Sequence, residues 1–147
     1  MPSLPSLLSL AHLIGLALGV GCATAKLTLL LKCRADYAFL PTFIAASKPI
    51  TQLIILGLGL LTLSGAGWLL LGYQFTPLLI VKLSFVGVLW VLGPIIDNVI
   101  EPKFRMLAPK PGEPASPAFI RMQRRYLLIE VVATGLLYLI IVIWMLL

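Results

Sequence analysis

Five ionisable side chains interrupt otherwise apolar runs of this 147-residue chain: His12, Lys26, Lys82, Asp97 and Glu130. Each is of a type that does chemistry where water is scarce. A neutral imidazole offers one nitrogen to a metal or a ligand oxygen and keeps one donor for a second partner. An ammonium holds an anion, and a carboxylate pairs with a cation or carries a proton. His12 opens the stretch "HLIGLALGVGCATAK". Within it His12, Gly15, Gly19, Cys22 and Lys26 recur at alternating steps of three and four, which puts all five on one helix face. The glycines of that face let a flat ligand or a neighbouring helix approach the backbone, with His12 at the mouth of the resulting cleft.

The elements that must position these residues are membrane spans. Hydrophobic residues make up 61% of the chain and charged residues 11%, and the mean hydropathy is +1.10. A soluble domain of this length needs a far more polar surface. Four apolar stretches, 6–31, 50–71, 77–99 and 126–147, are each near the ~20 residues that cross a ~30 Å hydrocarbon layer as a helix. They are continuous rather than alternating, unlike the strands of a barrel. The expected fold is all-α: a single-domain, four-helix transmembrane bundle with loops 32–49 and 100–125. The first stretch has no charged n-region and runs long before its first lysine, so it reads as a span and not a signal peptide. Ser47 and Pro49 mark the expected start of the second span. Gly93-Pro94 predicts a kink in the third.

The net charge of +6 is concentrated in the two longer loops. Of eleven basic residues, Lys26 and Lys82 lie inside spans. The other nine, Lys32, Arg34, Lys48, Lys103, Arg105, Lys110, Arg121, Arg124 and Arg125, all lie at the loop end, and the tails and the link "GYQFT" have none. The positive-inside rule places these loops in the cytoplasm and both termini outside. Anionic headgroups account for the loop charge without nucleic acid.

This topology sorts the intramembrane groups by depth. Lys26, Asp97 and Glu130 form an inner layer, where opposite charges can pair between helices as structural ion pairs and fix their register. His12 and Lys82 form an outer layer that contains no carboxylate. Two accounts of it stand side by side. Lys82 can snorkel to the headgroups while His12 bonds a carbonyl. Alternatively the two bind a ligand: an anionic headgroup, a quinone oxygen, or a haem whose iron takes His12 and whose propionate meets Lys82. In the ligand account Gly15 and Gly19 form the cleft wall, and Thr62 or Ser64 is the candidate to orient the His12 ring. Cys22 and Cys33 lie ~16 Å apart along one helix, too far for a disulfide. No nucleophile–base set, phosphate loop or zinc spacing is present in the sequence.

His12 with Gly19 and Gly21, Gly67-Trp68, Lys82-Leu83, and Arg125 with Glu130 together resemble a superfamily of small bacterial membrane proteins. It includes HemJ-type protoporphyrinogen oxidase, the CopD copper-resistance domain and several uncharacterised families. The resemblance implies a haem b cofactor, with His12 as iron ligand and Lys82 as a further site residue. Leu18 stands where HemJ-type proteins have tryptophan, and "RRYLLIE" lacks their asparagine. The resemblance therefore extends to His12 and Lys82 and not to oxidase activity. The expected role is ligand binding in a tetrapyrrole or electron-transfer context in the inner membrane. A non-catalytic accessory subunit, packing on itself or on other membrane subunits, and a small metal or ion transporter are the alternatives.

Overall fold

Inside lipid every backbone donor and acceptor must be satisfied within its own segment, so long apolar runs become long helices. The computed structural model describes residues 3–110 and 112–146. It contains α1 (Leu4–Ala35), α2 (Leu40–Leu70), α3 (Pro77–Ile95), α4 (Glu101–Leu107) and α5 (Pro117–Leu146), with no strand among the described residues. A single π-helical turn, Ile96–Ile100, joins α3 to α4 without interruption. The four spans are long and apolar enough to cross a membrane. The protein is an all-α, multi-pass membrane bundle. Successive spans run antiparallel, so the start of α1 and the end of α5 lie at the same end of the bundle.

Local sequence explains the helix starts. Ser3 accepts from the Ser6 N–H, Thr76 from the Leu79 N–H, and Ser116 from the Phe119 N–H. Each hydroxyl thus satisfies one of the donors a helix start leaves free. Proline in the first turn adds to this at Pro5 and Pro77. Two helices begin earlier than the apolar runs suggested. α2 starts at Leu40 and carries Pro49 in its interior, because Leu40, Phe43 and Ser47 already form a buried stripe. α5 starts at Pro117, where Phe119, Met122 and Tyr126 turn inward while Arg121, Arg124 and Arg125 stay exposed.

α1 and α2 pack most intimately, and α5 bridges α1 to α3 and α4. Small residues make the first contact. A Cβ on Gly57 would lie 2.5 Å from the Gly19 nitrogen, and one on Gly15 would lie 2.9 Å from the Gly57 carbonyl oxygen. Gly15, Gly19 and Gly57 are therefore a backbone-to-backbone seam. Two apolar cores fill the bundle. One, at the loop end, is built on Leu30, Cys33, Phe43, Phe104, Phe119 and Tyr126. The other, toward the terminal end, is built on Ala23, Leu58, Leu89, Leu137 and Ile140. Most remaining large apolar side chains, such as Leu13, Leu63, Val91 and Leu128, point outward. That is the pattern expected of a surface solvated by lipid.

Candidate functional site

The ionisable side chains inside the bundle gather mainly in two places. The first is the outer layer. His12 Nδ1 lies 2.9 Å from Ser64 Oγ, linking α1 to α2. Ser64 is fully buried, and its hydroxyl donates to the Leu60 carbonyl at 2.7 Å. A serine hydroxyl has one proton. When that proton goes to the Leu60 or Leu61 carbonyl, Ser64 accepts from His12, and the proton of a neutral ring sits on Nδ1. The lone pair of Nε2 is then free. Thr62, the other residue expected to orient the ring, accepts instead from Trp90 Nε1 at 3.0 Å and so ties α3 to α2. Lys82 is half-buried and has no carboxylate partner among the described residues.

The wall expected of the cleft corresponds to something else. The face of α1 bearing Gly15 and Gly19 is covered by Gly57 and Leu61 of α2. The small residues of the stripe serve helix packing, and His12 stands at the end of that seam.

The second place is the inner layer, a network joining four helices. Lys26 is 1% exposed. Its ammonium donates to Thr51 Oγ1 at 2.7 Å and to Glu101 Oε2 at 3.2 Å, and it lies 3.1 Å from Glu130 Oε1. Glu101 is the hub. Its Oε1 accepts from Ser47 at 2.8 Å and from Arg105 at 2.6 Å. Its Oε2 accepts from Tyr126 at 3.3 Å. Arg105 also donates to Ser47 at 2.9 Å. Two carboxylates and two cations leave the network formally neutral, which is what makes it tolerable at this depth.

Of the inner residues expected to pair, Lys26 and Glu130 do, and Asp97 does not. Its place is taken by Glu101. The reason is the π turn. Leu89, Gly93 and Ile96 line the bundle interior, and at 3.6 residues per turn the next inward position would be 100. The wide turn adds a residue, so the inward step runs from Ile96 to Glu101. Asp97 follows Ile96 by one residue, is turned ~100° from it, and is half-buried without an ion-pair partner among the described residues. Glu101, Ser47 and Arg105 fall within the expected loops 32–49 and 100–125, and polar type alone carries no sign of burial. Only Pro94, with its missing donor, pointed to irregular backbone nearby.

Aromatic rings close the loop end of the network. Phe104 packs edge-on against Phe43 and Tyr126 and against Phe119 at 5.0 Å between centroids. On its other side lies a cavity of about 70 Å³, lined by Lys26, Thr51, Glu130 and Thr134 among apolar residues of α1, α2, α3 and α5. No group of three or more metal-ligating side chains occurs among the described residues. The two cysteines are free thiols. The chain matches no protein-family model, no curated protein and no solved structure.

Proposed function

We propose that the protein is a small inner-membrane protein, with its basic loops in the cytoplasm and both termini outside, that binds a haem or a comparable planar anionic ligand through His12 in a tetrapyrrole or electron-transfer context. The observation that carries this reading is the Ser64 hydroxyl. By accepting from Nδ1 it selects the tautomer whose Nε2 can ligate, and it holds the ring in one orientation. His12 Nε2 would be the group that holds the iron of a bound haem. Lys82 supplies the charge for a carboxylate of the ligand, with no carboxylate partner among the described residues. Bound haem would supply one-electron chemistry. The protein's part is to hold and orient the ligand and to keep it in an apolar setting. Gly15 and Gly19 have no role in this reading, since α2 occupies their face.

The test is an absorption spectrum of the purified protein, oxidised and reduced, with and without added haemin. A Soret band is expected, lost in His12→Ala and weakened in Lys82→Met. A wild-type protein that stays colourless with haemin present sinks the reading.

An accessory-subunit role is the second reading. Gly21, Gly59, Gly65 and Gly87 meet no neighbouring side chain within the chain. Such positions allow close approach of a helix from another subunit. Co-purification of a stoichiometric membrane partner with a colourless protein would favour it.

A further inference from the structure

The basic side chains of the loop end are not equivalent. On α4, Arg105 turns inward and is bound to Glu101 and Ser47. Lys103, two residues earlier, stays exposed and lines a cleft between α4 and the start of α5. Arg121 and Arg125 line it from the other side. They stand four residues apart on one face of α5, and Arg124 lies outside the cleft. The cleft has a volume of about 190 Å³, with Leu107, Ala118 and Met122 as its less exposed floor. That floor is firmly held, because Leu107 and Met122 pack into the aromatic core beneath. Three exposed cations thus line one cleft, and none has an ion-pair partner among the described residues. Of the two glutamates on these segments, Glu101 is buried in the inner network, and Glu113 is exposed and forms no ion pair. Like charges at this spacing repel one another along the helix, and a bound anion relieves that repulsion.

We propose that this cleft binds the phosphate of an anionic glycerophospholipid, with Lys103, Arg121 and Arg125 as the groups that hold it. Arginine presents paired N–H donors that match phosphate oxygens, and lysine adds a point charge. Basic pockets between membrane helices take up headgroups of this kind. The course of α5 beyond the cleft favours a lipid over a free phosphate. Arg121, Arg125, Leu128 and Val132 follow one another at steps of four, three and four, and all are exposed. One helix face therefore carries two arginines at the loop end and two apolar side chains deeper in the span. With the phosphate on the arginines, the glycerol lies over the apolar floor and an acyl chain runs along Leu128 and Val132. A soluble phosphate uses only the first half of that stripe. The lipid joins α4 to α5 from outside, as the Tyr126–Glu101 hydrogen bond joins them from within. The cleft is at the opposite end of the bundle from His12, so the inference is independent of whether His12 binds a ligand.

Native mass spectrometry of the full chain in a non-ionic detergent, titrated with phosphatidylglycerol or with phosphatidylcholine, tests it. The wild-type protein should take up one phosphatidylglycerol at concentrations where phosphatidylcholine does not bind. Losing one charge-assisted hydrogen bond should weaken that uptake about tenfold in Lys103→Gln and again in Arg125→Gln. Arg124→Gln and Lys110→Gln remove the same charge outside the cleft and should leave uptake unchanged. All four positions are exposed, so thermal midpoints in lipid-free detergent should match the wild type. Equal losses in the cleft variants and the controls would reduce the effect to general charge attraction and overturn the site. So would uptake that neither cleft variant alters. Glycerol 3-phosphate at the same concentration as the lipid should not displace it. Displacement would make a soluble phosphate compound the occupant and overturn the lipid assignment.

Discussion

Lys26 shows how a single side chain can hold a membrane bundle together. Its ammonium touches α2 through Thr51, α4 through Glu101 and α5 through Glu130. Removing one partner of a buried ion cluster costs more than removing the cluster, because the remaining charges stay in a medium that cannot solvate them. Lys26→Met should therefore destabilise the protein by about 3–5 kcal/mol, measured by equilibrium unfolding in mixed micelles. The double variant Lys26→Met/Glu130→Gln should recover part of that loss, since it removes the carboxylate that Lys26 alone pairs, while Glu101 keeps Arg105. Additive losses in this cycle would mean that the two residues do not interact directly. Ser64→Ala should cost far less, about 1 kcal/mol. Its larger effect should be on the ligand spectrum, because the His12 ring loses its fixed tautomer.

At the scale of the element, two backbone features carry the architecture. The first is the glycine seam. Any side chain at Gly57 must displace α1 backbone rather than a flexible tip. Gly57→Ala should cost at least the 1–3 kcal/mol typical of overpacking. By contrast Gly59→Ala meets open space and should be neutral or slightly stabilising. Unfolding midpoints of the two variants make the comparison, and equal losses would place the seam elsewhere. The second feature is the π turn at Ile96–Ile100. It inserts one residue into an otherwise regular helix. Deleting Asn98 should restore a plain α-helix while keeping Glu101 on the inward face, four positions after Ile96 instead of five. Deleting Val132 from the regular α5 should rotate everything on one side of the cut by ~100° and separate Glu130 from Thr134. The Asn98 deletion is expected to keep most of its thermal stability and the Val132 deletion to lose it. The reverse order would show that the π turn is not an insertion in this sense.

The whole molecule is polarised along its axis. Nine basic side chains gather at the loop end, and none lies in the tails or the 72–76 link. The ion network lies near the loop end beneath its aromatic plug, the cavity lies beyond it, and His12 lies near the terminal end. By the positive-inside rule the charge bias predicts the insertion direction. Substituted-cysteine labelling of intact cells with a membrane-impermeant reagent should modify Ser3→Cys and spare Lys110→Cys. Native Cys33 is buried and does not compete for the reagent. Labelling of Lys110→Cys from outside would invert the molecule and place the His12 site on the cytoplasmic side.

Apolar run length and the placement of lysine and arginine determined the number of spans, their antiparallel order and the expected orientation. These are one-dimensional properties, because lipid demands a helix wherever a run is long enough and charge decides which ends stay in water. The sequence also placed Lys26 and Glu130 at one depth, for depth follows from distance along a helix. What it did not determine was which way each residue faces once the helix departs from 3.6 residues per turn. Glu101 entered the network, and Asp97 left it, through one added residue after Pro94. The glycines of α1 could have faced a ligand or a helix, and only the position of Gly57 against Gly15 and Gly19 decided for the helix. The free Nε2 of His12 and the unpartnered hydroxyl of Thr134 likewise depend on what stands opposite them in three dimensions. Partners of this kind are set by the packing of distant segments, and no local pattern in the chain specifies them.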